Sequence, residues 1–116
     1  MTAKISKAVI PAAGWGTRFL PATKAVPKEL LPLFDKPIIQ HTVEEAVASG
    51  IEDITIVTSP GKASLKAHFA PHEKLESALR AKGDAELLEK VQRTSRLADI
   101  RFVNQNEPRG LGHAVL

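Results

Sequence analysis

The sequence predicts an α/β fold, the N-terminal half of a doubly wound, mostly parallel sheet. Three observations carry that expectation. Short β-branched segments alternate with stretches of helical apolar spacing, in the order strand, helix, strand, helices, strand, helix start. The first strand is a continuous apolar run, as in strands buried on both faces. A Gly- and Pro-rich loop follows it, and right-handed crossovers turn such an order into a parallel sheet whose ligands bind beyond the carboxyl ends of the strands.

Ile5–Ala12 reads as the first strand, with Ala8, Val9 and Ile10 at its centre and Pro11 and Gly14 as its stop. Residues 11–37 hold too much Pro and Gly for a helix interior. Pro37 suits the first turn of a helix, Ile39, Val43, Ala46 and Val47 share one of its faces, and Gly50 ends it. Asp53–Ser59 is brief and β-branched, a second strand. A helix is expected over Ala63–Phe69, after Pro60-Gly61. Two more follow over Glu73–Ala81 and Ala85–Arg96, broken at Gly83-Asp84. Leu75 and Leu79, then Leu87, Leu88 and Val91, give each an apolar stripe opposite a charged face. Asp99–Gln105 is the third strand, 106–112 a loop, and Gly112–Leu116 the opening turn of another helix. In a 3-2-1 order the first strand would be an open edge, which proteins normally cover. The last helix also lacks a stop signal, so the chain is expected to be the front portion of a larger domain.

The 116 residues include 16 Lys+Arg and 13 Asp+Glu, and 43% are hydrophobic, an ordinary balance that excludes disorder and collagen-like repeats. With no cysteine, disulfides, thiolate zinc sites and Cys nucleophiles are excluded together, and a reducing cytoplasm is the expected location. No apolar run reaches the roughly 18 residues of a membrane span, and the N-terminus lacks the apolar core of a signal peptide. The charge is uneven. Residues 1–28 carry Lys4, Lys7, Arg18, Lys24 and Lys28 without one acid, whereas the remainder holds 11 bases and 13 acids. These bases stand among Gly, Pro and Ala with few aromatics, which points to a compact anion rather than nucleic acid.

The loop Pro11–Pro32 carries the chemistry. Gly14 and Gly16 let backbone N–H groups approach phosphate oxygens. Arg18 offers a forked guanidinium and Lys28 a flexible ammonium. Each charge-assisted hydrogen bond to phosphate contributes about 1.5–3 kcal/mol. Two cations with backbone donors would therefore reach the roughly −8 kcal/mol of micromolar nucleotide binding. The dinucleotide pattern GxGxxG fails because Phe19 stands at its third glycine, and GxxxxGK[ST] has no match.

The string Gly14-Trp15-Gly16-Thr17-Arg18, Leu20-Pro21-Ala22-Thr23-Lys24, Pro27-Lys28-Glu29-Leu30-Leu31-Pro32 resembles the signature of the sugar-phosphate nucleotidyltransferases. Within them it is similar to the bacterial branch that joins UTP to glucose 1-phosphate. Val103-Asn104-Gln105 and Pro108-Arg109-Gly110-Leu111-Gly112-His113-Ala114 extend the resemblance, as does the Glu73–Arg96 stretch. It implies a Rossmann-like nucleotidyltransferase domain of which residues 1–116 are the N-terminal, nucleotide-binding part.

The resemblance also implies roles. Ala13, Gly14, Gly16, Thr17 and Arg18 would wrap the nucleotide, with Ala13 and Gly14 against base and ribose and Arg18 at the β- and γ-phosphates. Lys28 would reach the α-phosphate, Glu29 would fix the loop or the base, and Gln105 and Gly110 would read uracil. Arg18 and Lys28 would be the catalytic pair in a direct attack of the sugar phosphate on the α-phosphorus, with pyrophosphate leaving. Mg²⁺ would bridge oxygens, its carboxylate ligands lying beyond residue 116. The sugar site would lie outside too, so the chain alone is expected to bind nucleotide with little turnover. The full-length protein is expected to be a homo-oligomer. Two alternatives stay open: another sugar nucleotidyltransferase, such as a thymidylyltransferase, and a non-catalytic nucleotide-binding module.

His41, His68, His72 and His113 are expected to be structural rather than metal ligands. Asp35 reads as a turn acid, Lys24 as a loop lysine, and Trp15 as a loop or lid contact.

Overall fold

A computed structural model describes residues 5–105. Its order is β1 (Lys7–Pro11), β2 (Pro32–Leu33), β3 (Lys36–Pro37), α1 (Ile38–Ala48), β4 (Asp53–Thr58), α2 (Ala63–Phe69), α3 (Glu73–Lys82), α4 (Ala85–Thr94) and β5 (Asp99–Asn104). One-turn 3₁₀ helices at Thr17–Phe19 and Lys28–Leu30 punctuate the long loop after β1.

β1, β4 and β5 form a parallel sheet with β4 central, the expected order. Lys7 to Pro11 pair with Asp53 to Val57, and Asp53 to Thr58 with Asp99 to Asn104. This in-step register brings all three carboxyl ends out along one edge. Ile54 and Ile56 point to one face, where they pack with Ile39 and Val43 of α1 and Leu65 and Phe69 of α2. Fully burying each such side chain contributes about 1.5–3 kcal/mol.

The apolar run of β1 was expected to be buried on both faces, and the structure corrects this. Ala8 and Ile10 turn toward the core, but Val9 is 45% exposed. Val103, on the same side of the sheet, is 46% exposed. Both α1 and α2 cover the opposite face.

Helix α1 begins one residue after Pro37, which has the extended backbone of an N-cap rather than a helical position. Gly50, at φ 91°, follows its end as expected. Gly83, at φ 72°, ends α3, and the Asp84 carboxylate then accepts the Leu87 N–H to cap α4. The expected apolar stripes of α3 and α4 do not reach the core. Neither helix has a buried residue, and Leu75 and Leu87 stay exposed while the two helices pack on each other.

Within the stretch expected as loop, β2 and β3 form a two-residue antiparallel hairpin. Its tip residue Phe34 has φ 63° and is 94% exposed. Asp35 is a turn acid as expected. A backbone N–H and then the Lys90 ammonium 3.4 Å away hold its carboxyl below the usual range. Three histidines have structural roles. His41 meets the Leu33 carbonyl at 3.1 Å, His68 the Gln40 side chain at 2.8 Å, and His72 Nδ1 accepts the Leu75 N–H. His113 and the expected final helix lie outside the described residues.

Candidate functional site

The site grows from the parallel register. Beyond the last paired residues, the Ala12 N–H still donates to Val57 O at 2.7 Å, and the Gln105 N–H donates to Thr58 O. The chain leaving β1 and the chain leaving β5 are thus both held against the carboxyl end of β4. Ala13 and Gln105, expected at one ligand, are buried on either side of it.

Gly14 and Gly16 behave differently. A Cβ at Gly14 would meet nothing within 4 Å. Gly16 has φ 69°, and a Cβ there would lie 3.2 Å from both Lys28 Cβ and Thr23 Cγ2. The buried Thr23 locks this bend by donating its hydroxyl to Gly16 O at 2.7 Å. That close packing brings Lys28 beside the glycine loop. Thr17 and Arg18 sit in the exposed one-turn helix after Gly16. Among the described residues, neither the Arg18 nor the Lys28 side chain has an ion-pair or hydrogen-bond partner, so both cations stand free for an anion.

Glu29 is buried, and its Oε1 accepts from Lys62 Nζ at 3.0 Å. The same ammonium donates to Ala12 O at 2.7 Å. Sequence reasoning missed Lys62. It follows Pro60-Gly61 in a turn, where a lysine normally faces water, and its partners lie 33 and 50 residues away. A cavity of about 330 Å³ opens between residues 13–15, 23–27 and 59–62, with Trp15 and Lys24 on its wall. That volume is within the roughly 300–1,000 Å³ of small-ligand sites. A more open groove of about 510 Å³ beside the β2–β3 hairpin holds none of the residues expected at the nucleotide.

Two buried polar atoms near the carboxyl ends of β4 and β5, Thr58 Oγ1 and Gln105 Nε2, have no hydrogen-bond partner. A buried amide N–H without an acceptor costs about 1–3 kcal/mol, and a ligand carbonyl would relieve it. Gly110 lies outside the described residues. No group of three or more His, Asp or Glu that could hold a metal occurs among the described residues.

Fold and site together define a parallel α/β domain with a glycine loop and two unpaired cations, Arg18 and Lys28, following the carboxyl end of its first strand. The chain belongs to the nucleotidyl transferase family, whose pattern matches residues 7–116. It is 61% identical over 112 residues to a UTP–glucose-1-phosphate uridylyltransferase of Bacillus subtilis (strain 168), covering 97% of this chain and 38% of that protein. A protein of the same name from Staphylococcus epidermidis is 60% identical, again over 97% of this chain and 39% of the relative. The chain therefore spans about two fifths of the length of these relatives. Among solved structures, a UTP-bound UGPase from Acinetobacter baumannii superposes with a TM-score of 0.92 at 44% identity, covering 97% of this chain and 40% of that one.

Proposed function

We propose that this chain is the nucleotide-binding part of a single enzyme domain that makes UDP-glucose and pyrophosphate from UTP and glucose 1-phosphate. The observation that carries the reading is the convergence at the carboxyl end of β4. Ala12 and Gln105 are held there, Gln105 with an unused amide N–H, and the loop leaving Ala12 carries Gly16, packed on Lys28, and then Arg18. The names of the similar proteins supply the substrates.

In this reading uracil lies between Ala13 and Gln105, with the backbone of Gly110 completing its recognition. The Gln105 amide offers both a donor and an acceptor, which suits the uracil imide edge. Gly14 lets the ribose come close, and Gly16 and Thr17 turn the chain so that Arg18 meets the β- and γ-phosphates. A sugar-phosphate oxygen attacks the α-phosphorus, the bond to the bridging oxygen breaks, and pyrophosphate leaves with that electron pair. Lys28 holds the attacking and attacked phosphates together while Arg18 neutralises the leaving charge. Glu29 fixes the loop from beneath, its Oε1 accepting from Lys62.

Magnesium is part of the proposal as counter-charge. The described residues form no carboxylate cluster for it, so the steps above rest on Arg18 and Lys28 alone. No helix among the described residues is long and apolar enough to cross a membrane. We place the full-length protein in the cytoplasm as a homo-oligomer.

The test incubates the full-length protein with Mg²⁺, glucose 1-phosphate and either UTP or dTTP, and measures pyrophosphate. Release with UTP and much less with dTTP is expected. A preference for dTTP would assign it to the thymidylyl-transferring relatives, and UTP binding without pyrophosphate would make it a non-catalytic module. Galactose 1-phosphate and N-acetylglucosamine 1-phosphate in place of glucose 1-phosphate test the sugar.

A further inference from the structure

We infer that Lys62 is a positioning residue for the nucleotide transfer, an inference that rests on the function proposed above. Its side chain is nine-tenths buried and joins three segments that are distant in sequence. It donates to the Ala12 carbonyl at the exit of β1 and to Glu29 Oε1 in the turn that carries Lys28, while its own backbone closes the turn after β4 through Lys62 N–H to Ser59 O.

Each link is short. The turn around Glu29 is closed by Leu30 N–H to Pro27 O at 2.9 Å and Leu31 N–H to Lys28 O at 3.1 Å, so Glu29 and Lys28 move as one unit. Lys28 in turn packs closely on Gly16, where an added Cβ would lie only 3.2 Å from Lys28 Cβ. The path Lys62, Glu29, Lys28, Gly16 therefore sets where the Lys28 side chain leaves the backbone beside the glycine loop. Surface solvation does not maintain this arrangement, because the paired Lys62 and Glu29 side chains are each only 10% exposed. Without the ammonium, Glu29 is a buried carboxylate lacking its partner and must turn outward or take a proton. Either response moves the turn, and a shift of about 1 Å at a reacting group can cost about a hundredfold in rate.

A double-mutant cycle in the full-length protein tests this. Lys62→Met should lower kcat/KM for UTP about a hundredfold, with Lys62→Arg recovering most of the loss, since a guanidinium can still reach both acceptors. In a Lys28→Ala background the same Lys62→Met change should cost less than about threefold, because the residue it positions is gone. An equal loss in both backgrounds, or no loss in either, overturns the inference. If Lys62→Met does not fold, Glu29→Gln replaces it in the cycle. That variant keeps the volume and the Lys62–Ala12 bond, and additivity with Lys28→Ala overturns the inference in the same way. Reading the cycle as UTP affinity by calorimetry tests the positioning even without pyrophosphate release, a result that would overturn the proposed function alone.

Discussion

Gly16 and Gly14 stand two residues apart and are glycine for different reasons. Gly16 is favoured by the fold: its φ of 69° strains any side chain, and a Cβ there would crowd Thr23 and Lys28 at 3.2 Å. Gly14 has open space around it, so the fold itself would accept alanine there. Gly16→Ala should therefore destabilise the full-length protein by at least about 1–2 kcal/mol, the cost of a left-handed non-glycine residue with crowding added. Gly14→Ala should leave the melting temperature unchanged and weaken UTP binding, because its missing Cβ leaves room for a ligand. Thermal melts and UTP titrations of both variants separate the two effects. A Gly14→Ala protein that binds UTP normally would remove that glycine from the site. The loop stood out in the sequence through its unpaired bases and its resemblance to a nucleotidyltransferase signature, because Gly-x-Gly spacing alone reads equally well as a structural turn. The division of labour between its glycines was not legible, because it depends on Thr23 and Lys28 folding back over the chain. Lys62 was illegible for the same reason, its burial being created by contacts far away in sequence.

At the scale of elements, a polar relay ties α2 to α1 and to β3. His68 Nε2 lies 2.8 Å from Gln40 Oε1, Gln40 Nε2 donates to Glu44 Oε2 at 3.1 Å, and Lys36 Nζ donates to Glu44 Oε1 at 3.0 Å. Burial holds the His68 imidazole below its ordinary value. Burial also raises Glu44, but the hydrogen bonds from Gln40 and Lys36 outweigh it and leave the carboxyl lowered. For His68 the unfolded chain takes up a proton at higher pH than the folded one. Stability is therefore full above about pH 6.5, the unfolded value, and falls as pH drops from there toward the lowered folded value. The Glu44 contribution is lost only lower, as pH falls below its unfolded value of about 4.5. Urea melts of the full-length protein should show the midpoint declining below about pH 6.5, with His68→Gln flattening that part of the curve. If the wild type and His68→Gln decline in parallel, the histidine is not the source. The three sheet strands and four helices were legible because each is long enough to show its period or its caps. The β2–β3 hairpin has two residues per strand, too few for any alternation to register. The exposed leucines of α3 and α4 show the opposite limit, since a stripe reveals a helix's inner face but not whether the sheet lies beneath it.

At the scale of the whole molecule, the decisive property is where the charge lies. Five bases and no acid fall in residues 1–28, and Arg18, Lys24 and Lys28 from that block are exposed around the glycine loop, while the rest of the chain is slightly acidic. A triphosphate placed at this loop meets positive charge with no acid of the same segment to offset it, and salt screens such attraction beyond a Debye length of about 8 Å. A nucleoside monophosphate of the same base would gain much less from it. The affinity of the full-length protein for UTP should therefore fall more steeply with added NaCl than its affinity for UMP, measured by calorimetry at fixed Mg²⁺. Arg18→Ala and Lys28→Ala should each flatten the UTP slope toward that of UMP, because each removes one of the charges being screened. Equal slopes for the two nucleotides would mean that the phosphate tail points away from the basic block. The base-reading role proposed for Gln105, at the same edge, would then fall as well.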